Sequence, residues 1–294
     1  MAAPPTPTVR CVTDAQAVLG EGPAWVAREQ ALYWLDIKGR RLHRFDPATN
    51  GATSWETPFR IGAIAPRAAG GFVGFSERGF VLIDPAAGRY DLIGDPEPDL
   101  PGNRANDGKL DRDGRFWAGT MDDAEQQRQG SLYRLDPDLT WRRRDTGYLV
   151  PNGPAFSPDG GVMYHTESSA RTIYRFDVDA DGAPSGKAVF AQFGGADGYP
   201  DGMTVDAEGC LWVAFWDGWC VRRLSPTGAV IGTVELPVQR PTACAFGGAD
   251  LGQLYITSAS TGLDSAARAV QPLAGGLFVT SPGVTGCRSA EFPG

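Results

Sequence analysis

Residues 115–137 read RFWAGTMDDAEQQRQGSLYRLDP. They hold two short apolar runs rich in aromatics, RFWAGT (115–120) and SLYRLDP (131–137), and the second closes on an Asp-Pro turn signal. The second run recurs as RLHRFDP (41–47), FVLIDP (80–85), TIYRFD (172–177), CVRRLSP (220–226) and GGLFVTSP (275–282). Each copy is preceded by a partner run: LYWLDI from Leu32, GFVGFS from Gly71, VMYHTE from Val162, CLWVAF from Cys210 and QLYITS from Gln253. With Trp34, Val73, Trp117, Tyr164, Trp212 and Tyr255 as markers, successive copies lie 39, 44, 47, 48 and 43 residues apart. That period is the length of a four-stranded propeller blade.

Upstream of each pair lies a further strand-like run: EGPAWV from Glu21, GAIAPR from Gly62, NDGKLD from Asn106, NGPAFS from Asn152, DGMTVD from Asp201 and TACAFG from Thr242. No linker interrupts the period. The sequence therefore predicts an all-β, six-bladed propeller of four-stranded blades, one domain over 1–294 with short terminal extensions.

In such a fold the first strand of each blade lines the central channel, so the six opening residues converge. They are Glu21, Gly62, Asn106, Asn152, Asp201 and Thr242. Two carboxylates and two amides crowded at one end of a narrow channel need a cation or water to satisfy them. An all-oxygen set suits Ca²⁺, Mg²⁺ or Mn²⁺ better than a Cys/His zinc centre, although Zn²⁺ and Fe²⁺ stay among the candidates. Three or four protein ligands leave positions open, which points to catalysis. The Asn-Gly and Asp-Gly pairs are also ordinary turn signals, and only the shared register raises them above that reading. Asp107 and Asp111 fall outside the register and are left as turn residues.

The second strands run back to the same face, which predicts Asp36, residues 120–122, Glu167, Trp216 and Ser258 around the mouth, with the polar segment MDDAEQQRQG (121–130) as a candidate lid. Trp216 and Trp219 are candidates for an apolar wall or for packing between blades. His165 is a candidate for the pocket and His43 for a structural role.

Other chemistries are disfavoured. Asp177, Asp179, Asp181 and Gly182 start like a calcium loop, but Ala188 stands where the closing Glu is needed. There is no G-x-S-x-G or H-E-x-x-H motif. The 27 Lys and Arg against 35 Asp and Glu give a charge of -8 and disfavour nucleic acid or an anionic membrane as partner. Five cysteines without a C-x-x-C pair read as buried thiols. The opening MAAPPTPTVRCVTD has no apolar run of signal-peptide length, and the expectation is a cytoplasmic protein.

LGEGPAW with Glu21, RANDGKLDRDGRFWAGTM with Arg104 and Asn106, PNGPAFSPDG with Asn152 and YPDGMTVDAEGCLWVAFW with Asp201 resemble the regucalcin (senescence marker protein), gluconolactonase and luciferin-regenerating enzyme family over about 14–280. The resemblance implies one divalent cation held by Glu21, Asn152 and Asp201. It further implies hydrolysis of a sugar lactone contacted by Arg104 and Asn106, in a pattern most like the bacterial aldonolactonases. Asp201 is then the candidate to take a proton from the attacking water, with a ligand-only role as the open alternative. One departure stands out: animal members carry a substrate-contacting Glu where this chain has Ala124, flanked by Asp122, Asp123 and Glu125. Rival readings are a phosphotriesterase or arylesterase-like propeller and a non-enzymatic Ca²⁺-binding regulator.

Overall fold

The computed structural model describes residues 8–294; the targeting-segment reading of residues 1–7 lies outside them. Six antiparallel four-stranded sheets are present, and five of them run in chain order from inside to outside. The inner strands are Gly20–Val26, Ile61–Pro66, Asn103–Leu110, Pro151–Phe156, Tyr199–Val205 and Pro241–Gly247. Each packs against the inner strand of the next blade, and the last against the first, so they close a ring about an axis. The result is the six-bladed β-propeller expected from the repeat.

The burial gradient explains the sequence pattern. Inner and second strands are covered on both faces by neighbouring blades and read as apolar runs, whereas the outermost strand of blade one, Gly51–Glu56, is almost wholly exposed and reads GATSWE. The six repeat markers, one per second strand, are each no more than 5% exposed: Trp34, Val73, Trp117, Tyr164, Trp212 and Tyr255. They fill the wedge between blades. Two of them are fixed by an aspartate six residues upstream: Trp117 donates its indole N–H to Asp111 and Trp212 to Asp206, each at 2.9 Å. Asp111 is therefore a buried strap on its own blade rather than a simple turn residue.

The sequence reading missed the closure. Residues Arg10–Thr13 form the outermost strand of blade six and pair antiparallel with Leu277–Thr280, so the presumed N-terminal extension belongs to the ring. At the other terminus, the tail after Thr280 crosses the channel end opposite the convergent residues. It bridges Gly286 to Asp206 and Phe292 to Arg67, and it buries Phe292 completely. No helix among the described residues is long and apolar enough to cross a membrane.

Candidate active site

All six inner strands lose register with their neighbours at the same place: after Glu21, Ile61, Ala105, Asn152, Pro200 and Pro241. A bulge of this kind breaks the two-residue alternation and re-aims side chains. It turns the expected register into a site, because Glu21, Asn106, Asn152 and Asp201 line one cavity of about 600 Å³ at the channel end. The X-Gly pairs thus serve bulged strands rather than turns. Gly153 has a left-handed φ of +85°, and a Cβ on Gly202 would lie 2.5 Å from that of Ala243.

Glu21 and Asp201 are 4% and 7% exposed. Glu21 accepts only the Gly22 amide, at 3.1 Å, and among the described residues no side chain donates to either carboxylate. Burial, then the charges of Asp201 and Asp107, pushes the Glu21 carboxyl well above its usual range; burial and Asp107 do the same to Asp201. Beside them Asn152 donates Nδ2 to Ser168 Oγ at 2.9 Å, which fixes the amide so that its Oδ1 accepts from Asn106 Nδ2 at 3.1 Å. Two desolvated carboxylates without side-chain donors and an oriented amide oxygen are a ligand set that fits a divalent cation. No group of three His, Cys, Asp or Glu suited to a metal occurs among the described residues, so an amide must complete a protein set of three.

Arg104 is 6% exposed and donates to Asp123 at 2.9 Å, to Asn106 Oδ1 at 2.8 Å and to the Ala105 carbonyl at 3.0 Å. It lines the cavity with Asn106, and Arg60 braces the far oxygen of Asp123 at 2.8 Å. The structure thus brings Glu21, Arg104, Asn106, Asn152 and Asp201 to one place. Asp107 is also buried, but both its oxygens are occupied, one by Gly108 N and one by Gly153 N of the next blade, each at 2.7 Å. It ties blade three to blade four below the cavity.

Of the predicted mouth residues, only Met121 and Trp216 line the cavity. Asp36 accepts from the amides of Val18, Leu19 and Gly39, and Glu167 from those of Leu149 and Val150. Backbone N–H groups at the blade junctions need acceptors, and these carboxylates supply them. Ser258 donates to the Gly276 carbonyl and Thr120 to Glu97. The cavity is lined instead by residues one to three positions further on: Lys38, Glu125, Ser168, Ser169, Asp217 and Thr261. Following each second strand a few residues past its end would have found them. In the 121–130 segment Asp122 accepts from Gln126 N, Arg128 pairs with Glu167 and Gln129 donates to Asn103, so the segment is hydrogen-bonded to the rim of the cavity. Trp219 is outside the lining.

His165 is also outside. It is fully buried against Tyr148 with neither ring nitrogen bonded, and burial pushes its pKa down to about 3. His43 stacks on Trp34 and bonds Ser54, as a structural histidine would. Because the unfolded chain protonates His165 near pH ~6.5 and the fold does not, stability is lost as pH falls from there toward 3, at up to ~1.4 kcal/mol per unit. His165→Phe is expected to lower the midpoint of acid unfolding, measured by circular dichroism, while leaving the melting temperature at pH 8 within a few degrees.

Residues 19–260 match the SMP-30/Gluconolactonase/LRE-like region. The chain belongs to this family. It is 38% identical to the 6-deoxy-6-sulfogluconolactonase of Pseudomonas putida, over 98% of this chain and 99% of that protein. It is 37% identical to a pentonolactonase of Haloferax volcanii, over 95% and 96%. A regucalcin of Agrobacterium tumefaciens, described as a calcium-binding protein, superposes with a TM-score of 0.93 at 32% identity over 97% of both chains. Ala124 is not among the lining residues, but the adjacent Glu125, at a left-handed φ of 56°, does line the cavity.

Proposed function

We propose that this protein hydrolyses the lactone of a sugar acid, using one divalent cation held by Glu21, Asn152 and Asp201. The observation that carries the reading is the pair of buried carboxylates that accept from no side chain, beside an oriented amide, on the wall of a polar cavity of about 600 Å³. That size suits a small-molecule site. The lactonase names of the relatives support the substrate class, and the five cysteines, none of them bonded, suit work in the reducing cytoplasm.

The cation, when bound, supplies Lewis acidity toward the lactone carbonyl. Asp201 takes the proton of the attacking water on a carboxylate oxygen as the water oxygen bonds to the carbonyl carbon. As the ring C–O bond breaks, that proton is delivered to the departing ring oxygen, which becomes the free hydroxyl of the acid. Arg104 and Asn106, locked to each other, hold ring hydroxyls, and the Arg104 guanidinium favours the negative charge that develops on oxygen.

Stripping the protein with chelator and restoring Ca²⁺, Mg²⁺, Mn²⁺, Zn²⁺ or anaerobic Fe²⁺ in turn tests the reading, with acid release followed on xylono-, arabinono-, galactono- and gluconolactones. Turnover restored by at least one cation is expected; no rescue by any of them rejects the proposal. Arg104→Lys keeps the charge but loses the planar fork that reaches Asp123, Asn106 and the Ala105 carbonyl together. It is expected to lower kcat/KM by about ten- to a hundredfold, in steady-state kinetics on the best lactone.

A further inference from the structure

Three cationic side chains line the cavity, and two are neutralised. Arg104 is salt-bridged to Asp123 at 2.9 Å and Arg240 to Asp217 at 2.7 Å. Lys38 is exposed and has no carboxylate within ion-pair distance among the described residues. Arg240 uses Nε on Asp217 and one terminal nitrogen on the Thr261 carbonyl, with its guanidinium 4.7 Å over the Trp216 ring. Its other terminal nitrogen makes no bond among the described residues. The free donors therefore belong to blade one, for Lys38, and to the junction of blades five and six, for Arg240.

Arg104, Met121 and Glu125 belong to blade three, which stands across the ring from blade six. If the carbonyl of a lactone meets Glu21, Asn152 and Asp201 and its ring hydroxyls meet Arg104, Asn106 and Glu125, its exocyclic carbon extends toward Lys38 and Arg240. A neutral hydroxymethyl group has no need of a lone ammonium there. An anionic one does, the more so because a chain of net charge -8 repels anions elsewhere on its surface.

We propose that Lys38 and Arg240 form an anion subsite, and that the preferred substrates are sugar lactones bearing a phosphate, sulfonate or carboxylate on the exocyclic carbon remote from the carbonyl. This rests on the lactonase reading above.

The test compares kcat/KM for 6-phosphogluconolactone, 6-sulfo-6-deoxygluconolactone, glucaro-1,4-lactone and gluconolactone, in the wild type and in Lys38→Met and Lys38→Arg. Calorimetric binding of the ring-opened products 6-phosphogluconate and gluconate is measured alongside. The wild type is expected to favour at least one anionic lactone over the neutral one, and the three anions rank the group recognised. That preference is expected to fall about tenfold or more in Lys38→Met, to persist in Lys38→Arg and to weaken with added salt. A wild type indifferent to charge, or a preference unchanged in Lys38→Met, overturns the subsite while leaving the lactonase reading standing. Should no lactone be turned over, the lactonase reading falls, and the calorimetry still decides. Phosphogluconate that binds no tighter than gluconate, or equally well to Lys38→Met, rejects the anion subsite.

Discussion

Asp201→Asn is expected to lower lactone turnover by about two to four orders of magnitude, the range a positioned general base supplies. The substitution keeps the volume and one carbonyl oxygen but removes the group that takes the proton and one of the two charges facing the cation. Steady-state kinetics and calorimetric cation titration, run on the same preparation, separate the two roles. A large loss in kcat with cation affinity changed only a few-fold assigns Asp201 mainly to proton transfer. Equal losses in both make it mainly a ligand. Near-normal turnover together with near-normal affinity would refute both roles.

The second large effect is on the metal-free fold. Glu21 and Asp201 are buried with no side-chain donor, so ionising them together in the absence of a cation costs stability. Their carboxyls are raised in the fold relative to about 4 in the unfolded chain, so the folded state holds more protons. The metal-free protein should therefore lose stability as pH rises from about 4 through the folded-state pKa values. Glu21→Gln/Asp201→Asn removes that loss, and the double variant without metal is expected to melt above the chelated wild type at pH 8. Adding cation at a hundred times its Kd should stabilise the wild type by about 2.7 kcal/mol and leave the double variant unmoved. A double variant that melts below the chelated wild type would show that the pair does not strain the fold.

The six blades were legible because each second strand carries one large residue at the same register, and that signal is local. The convergence of Glu21, Asn106, Asn152 and Asp201 was legible because they open equivalent strands, whereas Arg104 entered only through the family resemblance. What escaped has identifiable causes. Arg10–Thr13 is four residues long, carries no aromatic marker and pairs with a strand at the far end of the chain. Non-local pairing of that kind leaves no local trace. Asp107 was left as a turn residue because it falls outside the register shared by the blades, but the bulge after Ala105 puts consecutive residues to separate uses. Asp36 and Glu167 were placed at the mouth by strand direction alone, yet the unpaired amides of the preceding segments claim their oxygens first.

The pairing of Arg10–Thr13 with Leu277–Thr280 also has a consequence for biosynthesis. Among the described strands Arg10–Thr13 is made first and paired last, because its partner Leu277–Thr280 is made after all the others. Until then the nascent chain is an open arc of blades, with an unpaired strand at one end and an uncovered blade face at the other. A nonsense mutation or proteolytic cut before Leu277 therefore acts on both ends of the ring at once. It strands Arg10–Thr13 as well as removing the tail that seats Phe292.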